Sequence, residues 1–166
     1  MFEKFPEPKP ERKLEIIEKV FVSEKDKEFY RQHKEEIAKD WEEYEKINQT
    51  YEEIVEDMDR ILTTAKDPEA AKKIVLEKWK PIAQDEALRL GKVESKFQKK
   101  YGVKTWDAIN QIKESEKDRE ELSTPKSEEE RRQEKEKGDR LFQIEQQYIM
   151  TPDFYTRELP EDNSTN

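Results

Sequence analysis

From Glu24 to Leu62 the chain contains neither glycine nor proline, and its apolar residues recur at helical spacing. One position in seven reads Tyr30, Ile37, Tyr44, Tyr51, Met58, and the position three later reads His33, Asp40, Ile47, Ile54, Ile61. This is the a/d pattern of a heptad with two polar lapses toward its N-terminal end. Trp41, Val55 and Leu62 stand beside d and widen the stripe, so more than one helix is expected against it. Ser23, with Asp26 three residues on, has the spacing of a capping box and marks the start. A helix over residues 24–64 would be roughly 60 Å long at a rise of about 1.5 Å per residue. A stripe of that length has to be covered, and what covers it decides the fold.

The next segments supply candidates. Asp67 and Pro68 offer an N-cap followed by a proline at the first helical position, and open a second helix that runs to residue 101. Ala70, Ala71, Ile74, Val75 and Trp79 make one face of it. Pro81 then removes a backbone donor, which predicts a kink or a split near Trp79. Ile82, Ala83, Leu90, Val93, Phe97 and Tyr101 carry the stripe on to Gly102, a residue suited to a left-handed helix end. The short connection between the two helices predicts an antiparallel hairpin.

Charge points the same way. Residues 23–62 hold 14 acidic and 7 basic side chains, whereas residues 68–101 hold 5 and 9. The stripe would drive the pairing and unlike charge would select the partner. Lys72, Lys73, Lys78, Lys80, Arg89, Lys92, Lys96, Lys99 and Lys100 are accordingly expected to face the acidic helix.

A third, shorter helix over residues 105–122 is expected from Thr105 as its cap and from Trp106, Ile109 and Ile112 on one face. With these it completes a helical domain over residues 11–122, which begins with a short amphipathic segment, 11–22, carrying Leu14, Ile17 and Phe21. Ser123-Thr124-Pro125 is a boundary. A charged helical arm comes next, over residues 123–150, opened by Ser127 with Glu130 in a second capping-box spacing and interrupted at Gly138. Its end is amphipathic, with Leu141, Ile144 and Tyr148 on one face and Phe142 and Ile149 beside them. Residues 1–10 form a proline-rich leader with Phe2 and Phe5, and residues 151–166 a flexible tail with Phe154 and Tyr155. The expected class is all-α: an elongated helical hairpin or coiled coil built on one long helix, with short added helices and flexible ends.

Leu, Ile, Val and Phe make up 33 of 166 residues, the lower edge of what folds alone. The long stripe is therefore expected to find cover by self-association into a dimer or larger, through Tyr30, Ile37, Trp41, Tyr44, Ile47, Tyr51, Ile54, Met58 and Ile61. The chain has no cysteine, which excludes disulfides, thiolate metal sites and cysteine catalysis. Its one histidine, His33, falls at d, where a register-fixing polar residue is the expectation. With three glycines there is no phosphate-cradling or dinucleotide fingerprint. No cofactor and no metal is expected, and with 42 acidic residues carboxylate pairs carry no information about catalysis. No apolar run is long enough to cross a membrane, and no signal sequence opens the chain, so a cytoplasmic location is expected.

These features favour a non-enzymatic interaction protein, an adaptor or assembly factor that meets a partner protein through Phe2, Phe5, Phe154 and Tyr155. The alternative is a phage or mobile-element accessory protein acting on nucleic acid or on its entry, packaging or replication machinery. The basic second helix interleaved with Trp79, Phe97 and Tyr101 would bind phosphates, or the acidic long helix would imitate DNA. A net charge of -9 weighs against the first of these.

Overall fold

In the computed structural model, Phe21 and residues 23–159 are described. The expected segment 11–22, Phe21 apart, and the leader with Phe2 and Phe5 lie outside them. The fold is all-α, with no strand among the described residues. Helix α1 spans Glu24–Thr64. A second helical run is made of α2, Pro68–Ile74, a π turn at Val75–Trp79 and α3, Lys80–Tyr101. Helix α4 covers Val103–Ser123 and α5 Glu128–Ile144. A second π turn, Glu145–Ile149, and a 3-10 turn, Pro152–Thr156, come after it.

The helix ends arise from local chemistry. At the start of α1 the Asp26 amide donates to the Ser23 hydroxyl at 3.4 Å, half of the expected capping box. Asp67 accepts from the amides of Glu69 and Ala70 at 3.1 and 3.3 Å, with Pro68 at the first position of α2. Ser127 caps α5 by accepting from the Glu130 amide at 3.2 Å. Gly102 is the single residue between α3 and α4, at φ 97° and ψ 153°, a region that only glycine enters without strain. Its amide closes α3 on the Gln98 carbonyl at 2.8 Å, and its carbonyl receives the Trp106 amide, so one residue ends one helix and starts the next. Thr105 is not that cap: it is buried, and its hydroxyl donates to the Tyr101 carbonyl at 3.0 Å.

Of the two outcomes expected at Pro81 the split does not occur: the second helical run continues from Pro68 to Tyr101, with a π turn that ends at Trp79, the place where the irregularity is expected. The π turn just upstream, closed by the Lys80 amide on the Val75 carbonyl, adds a residue to one turn. This widens the helix where the proline ring would otherwise meet the carbonyl four residues back. Gly138 does not interrupt the arm, because α5 passes straight through it.

The chain divides into two units. The first joins the described residues up to Trp41 with Lys96–Pro125, and the second joins Glu42–Ser95 with the described residues from Lys126 on. In the first unit Tyr30, Ile37 and Trp41 of α1 are buried with Phe97, Tyr101, Trp106, Ile109 and Ile112. Trp41 meets Trp106 at 4.8 Å and Phe97 at 5.7 Å between ring centroids, and Phe97 meets Tyr101 at 4.8 Å. Phe21 packs on Tyr30 at 5.7 Å. Ring contacts of this kind add about 1 kcal/mol each to the burial of the rings themselves.

The second unit has its own apolar cluster, in which Tyr51, Ile54, Val55 and Met58 of α1 meet Val75 and Ala83 of the returning helix and Ile144, Tyr148 and Ile149 from the C-terminal run. The short connection 65–67 and these contacts make the return antiparallel, as expected.

Candidate functional site

The described part of residues 151–166 is not loose chain; it is fastened to α3 by a polar hub. Gln84, on the inner face of α3, is fully buried. Its side-chain amide donates to the Ile149 carbonyl at 3.0 Å, to the Thr151 hydroxyl at 3.3 Å and to Asp153 at 3.4 Å. Its side-chain oxygen accepts from the Arg157 guanidinium at 3.1 Å. Arg157 also donates to Asp85 at 3.0 Å and to the Pro81 carbonyl at 3.4 Å. Lys80 pairs with Asp153 at 3.2 Å. The Thr151 hydroxyl donates to Asp153 and, with the Lys80 and Gln84 donors, holds that carboxyl down at about 2, well below the usual carboxylate range.

Sequence causes this locally. The second π turn closes with the Met150 amide on the Glu145 carbonyl at 2.7 Å, and Pro152 cannot continue a helix from there. The chain leaves the core at Thr151 and makes one 3-10 turn, with the Phe154 amide on the Thr151 carbonyl at 2.9 Å. Lys80 and Gln84 lie four residues apart on one face of α3 and Asp85 stands one residue round from them, so adjoining faces present a cation, an amide and an anion. The turn delivers Asp153 and Arg157 to them.

On this turn Phe154 and Tyr155 stand edge to face, 5.5 Å apart, with Phe154 half-buried and Tyr155 75% exposed. These are two of the four expected partner-binding aromatics; Phe2 and Phe5 lie outside the described residues. Tyr155 stands on a held turn, with its ring against Phe154 and open to solvent.

The expected self-association seam is placed differently. Tyr30, Ile37, Trp41, Tyr51, Ile54 and Met58 are buried, and Tyr44, Ile47 and Ile61 half-buried, by the chain's own helices. The cover comes from α4 and from Leu141, Ile144, Tyr148 and Ile149, so the thin composition still closes the stripe from within. His33 is not a buried register residue. It is half-exposed, with its ring 4.5 Å from Phe29 and Nδ1 3.7 Å from Glu36. The other polar lapse, Asp40, accepts from the Tyr101 hydroxyl at 2.5 Å and from Lys100 at 3.1 Å. Burial raises the Asp40 carboxyl, and these two donors with nearby Lys96 outweigh it, leaving a net lowering.

Nor do the lysines of the second helical run line up against α1. Lys100 does, through Asp40 and Glu36, and Lys80 turns to Asp153. Lys72 and Arg89 pair within their own helix, with Glu69 and Glu86. Lys72, Lys73, Lys78, Arg89, Lys92, Lys96 and Lys99 are exposed.

The hub residues Lys80, Gln84, Asp85, Thr151, Asp153 and Arg157 carry no motif, and nothing in a single sequence pairs positions so far apart. Another ion pair, invisible for the same reason, ties the buried Asp59 to Arg140 at 3.1 Å. Among the described residues no group of carboxylates and histidine is arranged to hold a metal ion, and no helix is long and apolar enough to cross a membrane. No protein family's model matches the chain, and comparison with curated proteins and with solved structures finds no match.

Proposed function

We propose that the chain is a non-enzymatic interaction protein, an adaptor or assembly factor, and that it offers a partner protein the aromatic pair Phe154 and Tyr155. One observation carries this reading: Tyr155, 75% exposed, sits on a turn held by a buried glutamine and by an arginine with three acceptors. A turn held before binding loses little backbone freedom when a partner covers it, and tyrosine is among the residues that anchor interfaces. Self-association belongs to the same reading, carried by outward side chains of the second unit such as Ile74, Leu76, Ile82 and Phe142, all exposed, rather than by the buried seam. The test is co-purification from the cells that make the protein, with and without nuclease, comparing wild type with Tyr155→Ala. A protein partner that survives nuclease and is lost with Tyr155→Ala is expected; equal recovery by both chains counts against the proposal.

The second reading, nucleic-acid handling, is favoured by the seven exposed basic residues just named. Against it stands the net charge of -9, which repels a polyanion, and the burial of Phe97 and Tyr101, which removes two of the three interleaved aromatics from the surface. Fluorescence anisotropy with duplex DNA at two salt concentrations decides it. Phosphate binding would show a log-log slope of about -0.9 per phosphate neutralised, and no measurable binding at physiological salt is expected.

A further inference from the structure

Arg157 reaches its acceptors from 72 residues beyond Asp85, and those acceptors form a site in their own right. The Pro81 carbonyl, the Gln84 side-chain oxygen and the Asp85 carboxylate converge on one guanidinium and engage Nε and both terminal nitrogens. A planar fork met on three sides is the geometry by which proteins recognise arginine rather than a point charge. Toward the first π turn, Lys80 takes the acidic residue four positions before that arginine, and the Gln84 amide reads the carbonyl of Ile149, the last residue of the second π turn. The apolar cluster of the unit takes in Met150 and none of residues 151–159. The strap from Thr151 to Leu159 is thus held by polar contacts, centred on the buried Gln84 and on the partly exposed Lys80, Asp85 and Arg157, and a second peptide that offers the same donors and acceptors can take their place.

We infer that this face of α3 is a binding site for a short peptide turn carrying an arginine four residues after an acidic residue, and that the chain's own strap occupies it in cis. The site belongs to the same latch as the aromatic pair but does not depend on Tyr155 having a partner. A strap joined through Met150 and Thr151 is present at an effective concentration on the order of millimolar, so a free peptide competes poorly until the strap is released. Released, the strap also frees Phe154 and Tyr155 from their fixed turn.

The probe is a fluorescein-labelled peptide of the sequence 150–159, titrated into three full-length chains: wild type, an unlatched Asp153→Ala/Arg157→Ala chain, and the unlatched chain with Asp85→Ala added. The unlatched chain is expected to bind at least about tenfold tighter than wild type, with binding lost on adding Asp85→Ala or on replacing the peptide's arginine by alanine. Equal affinity for wild type and unlatched chain, or affinity indifferent to the peptide's arginine, overturns the inference. Should the unlatched chain fail to fold, hydrogen exchange on wild type with excess peptide gives the same answer. Protection lost at 151–158 alone is the expected result; unchanged protection, or loss spreading through 128–149, overturns it. Tyr155→Ala in the unlatched chain leaves peptide affinity unchanged, which separates this outcome from that of the partner proposal.

Discussion

Two glycines of this chain, Gly138 and Gly102, behave as two different residues. Gly138 lies inside α5 with nothing within 4 Å of the position a β-carbon would take. Gly138→Ala therefore costs no space and gains helix propensity, and a rise in stability of about 1 kcal/mol is expected in a thermal melt. Gly102 has equally open surroundings but a φ of 97°. There Gly102→Ala is expected to lower stability by about 1–2 kcal/mol through backbone strain alone. If the two substitutions move the melt in the same direction, the assignment of the α3–α4 junction is wrong. Glu145 gives a pH-dependent counterpart. Burial raises its carboxyl above the ordinary glutamate value; the Tyr51 hydroxyl opposes this and nearby Glu52 adds to it. A group whose pKa rises on folding contributes stability that is fully present below its unfolded value and is lost as pH climbs through its folded value. Glu145→Gln should leave the melting temperature unchanged near pH 4 and raise it at pH 7, and a benefit that is constant across this range would exclude Glu145 as the cause.

At the scale of elements, the charged arm shows how helices with little apolar surface are kept in place. Residues 128–139 of α5 are exposed throughout, and the helix is anchored by Leu141, Ile144 and the ion pair of Arg140 with the buried Asp59. Removing Arg140 would leave Asp59 buried and unpaired, the costly half of such a pair. Arg140→Ala is expected to lower the melting temperature clearly. Lys137→Ala, which breaks only a solvent-facing pair with Glu56 at 3.6 Å, should barely move it. Equal effects would mean that the arm is held by apolar contacts alone. The helices themselves were legible in the sequence because periodicity and capping are local: α1, the Asp67-Pro68 start and the Ser127 cap all read directly. The π turns were not legible, since a π turn is one residue's slack between a proline and its neighbours and leaves the apolar spacing nearly intact. The latch was not legible because its residues are ordinary polar types whose partners are fixed only by the packing of α5 and of the C-terminal turns beyond it. Phe154 and Tyr155 could be named from composition, but not the turn that presents them.

At the scale of the whole molecule, the count of apolar residues suggested a stripe in need of a second chain, and the arrangement of the helices meets that need internally. Each half of the α1 stripe is covered within its own unit, the first by Phe97, Tyr101 and Trp106 and the second by Val75, Ile144 and Ile149. Opposite charge does less than expected, since most of the basic side chains of the second helical run face solvent and surface pairs contribute little in any case. What stands outward is a few exposed apolar residues and the aromatic turn, the surface that the proposal offers to a partner. Site-specific photocrosslinking in the cells that make the protein tests this most directly, with a photoreactive phenylalanine analogue placed in turn at position 155 and at positions 44 and 47 of the seam. Adducts to another protein from position 155, diminished by Arg157→Ala and absent from 44 and 47, are the expected result. Adducts of two copies of the chain from positions 44 and 47, with none from 155, would contradict the reading of an internal seam and an outward aromatic turn.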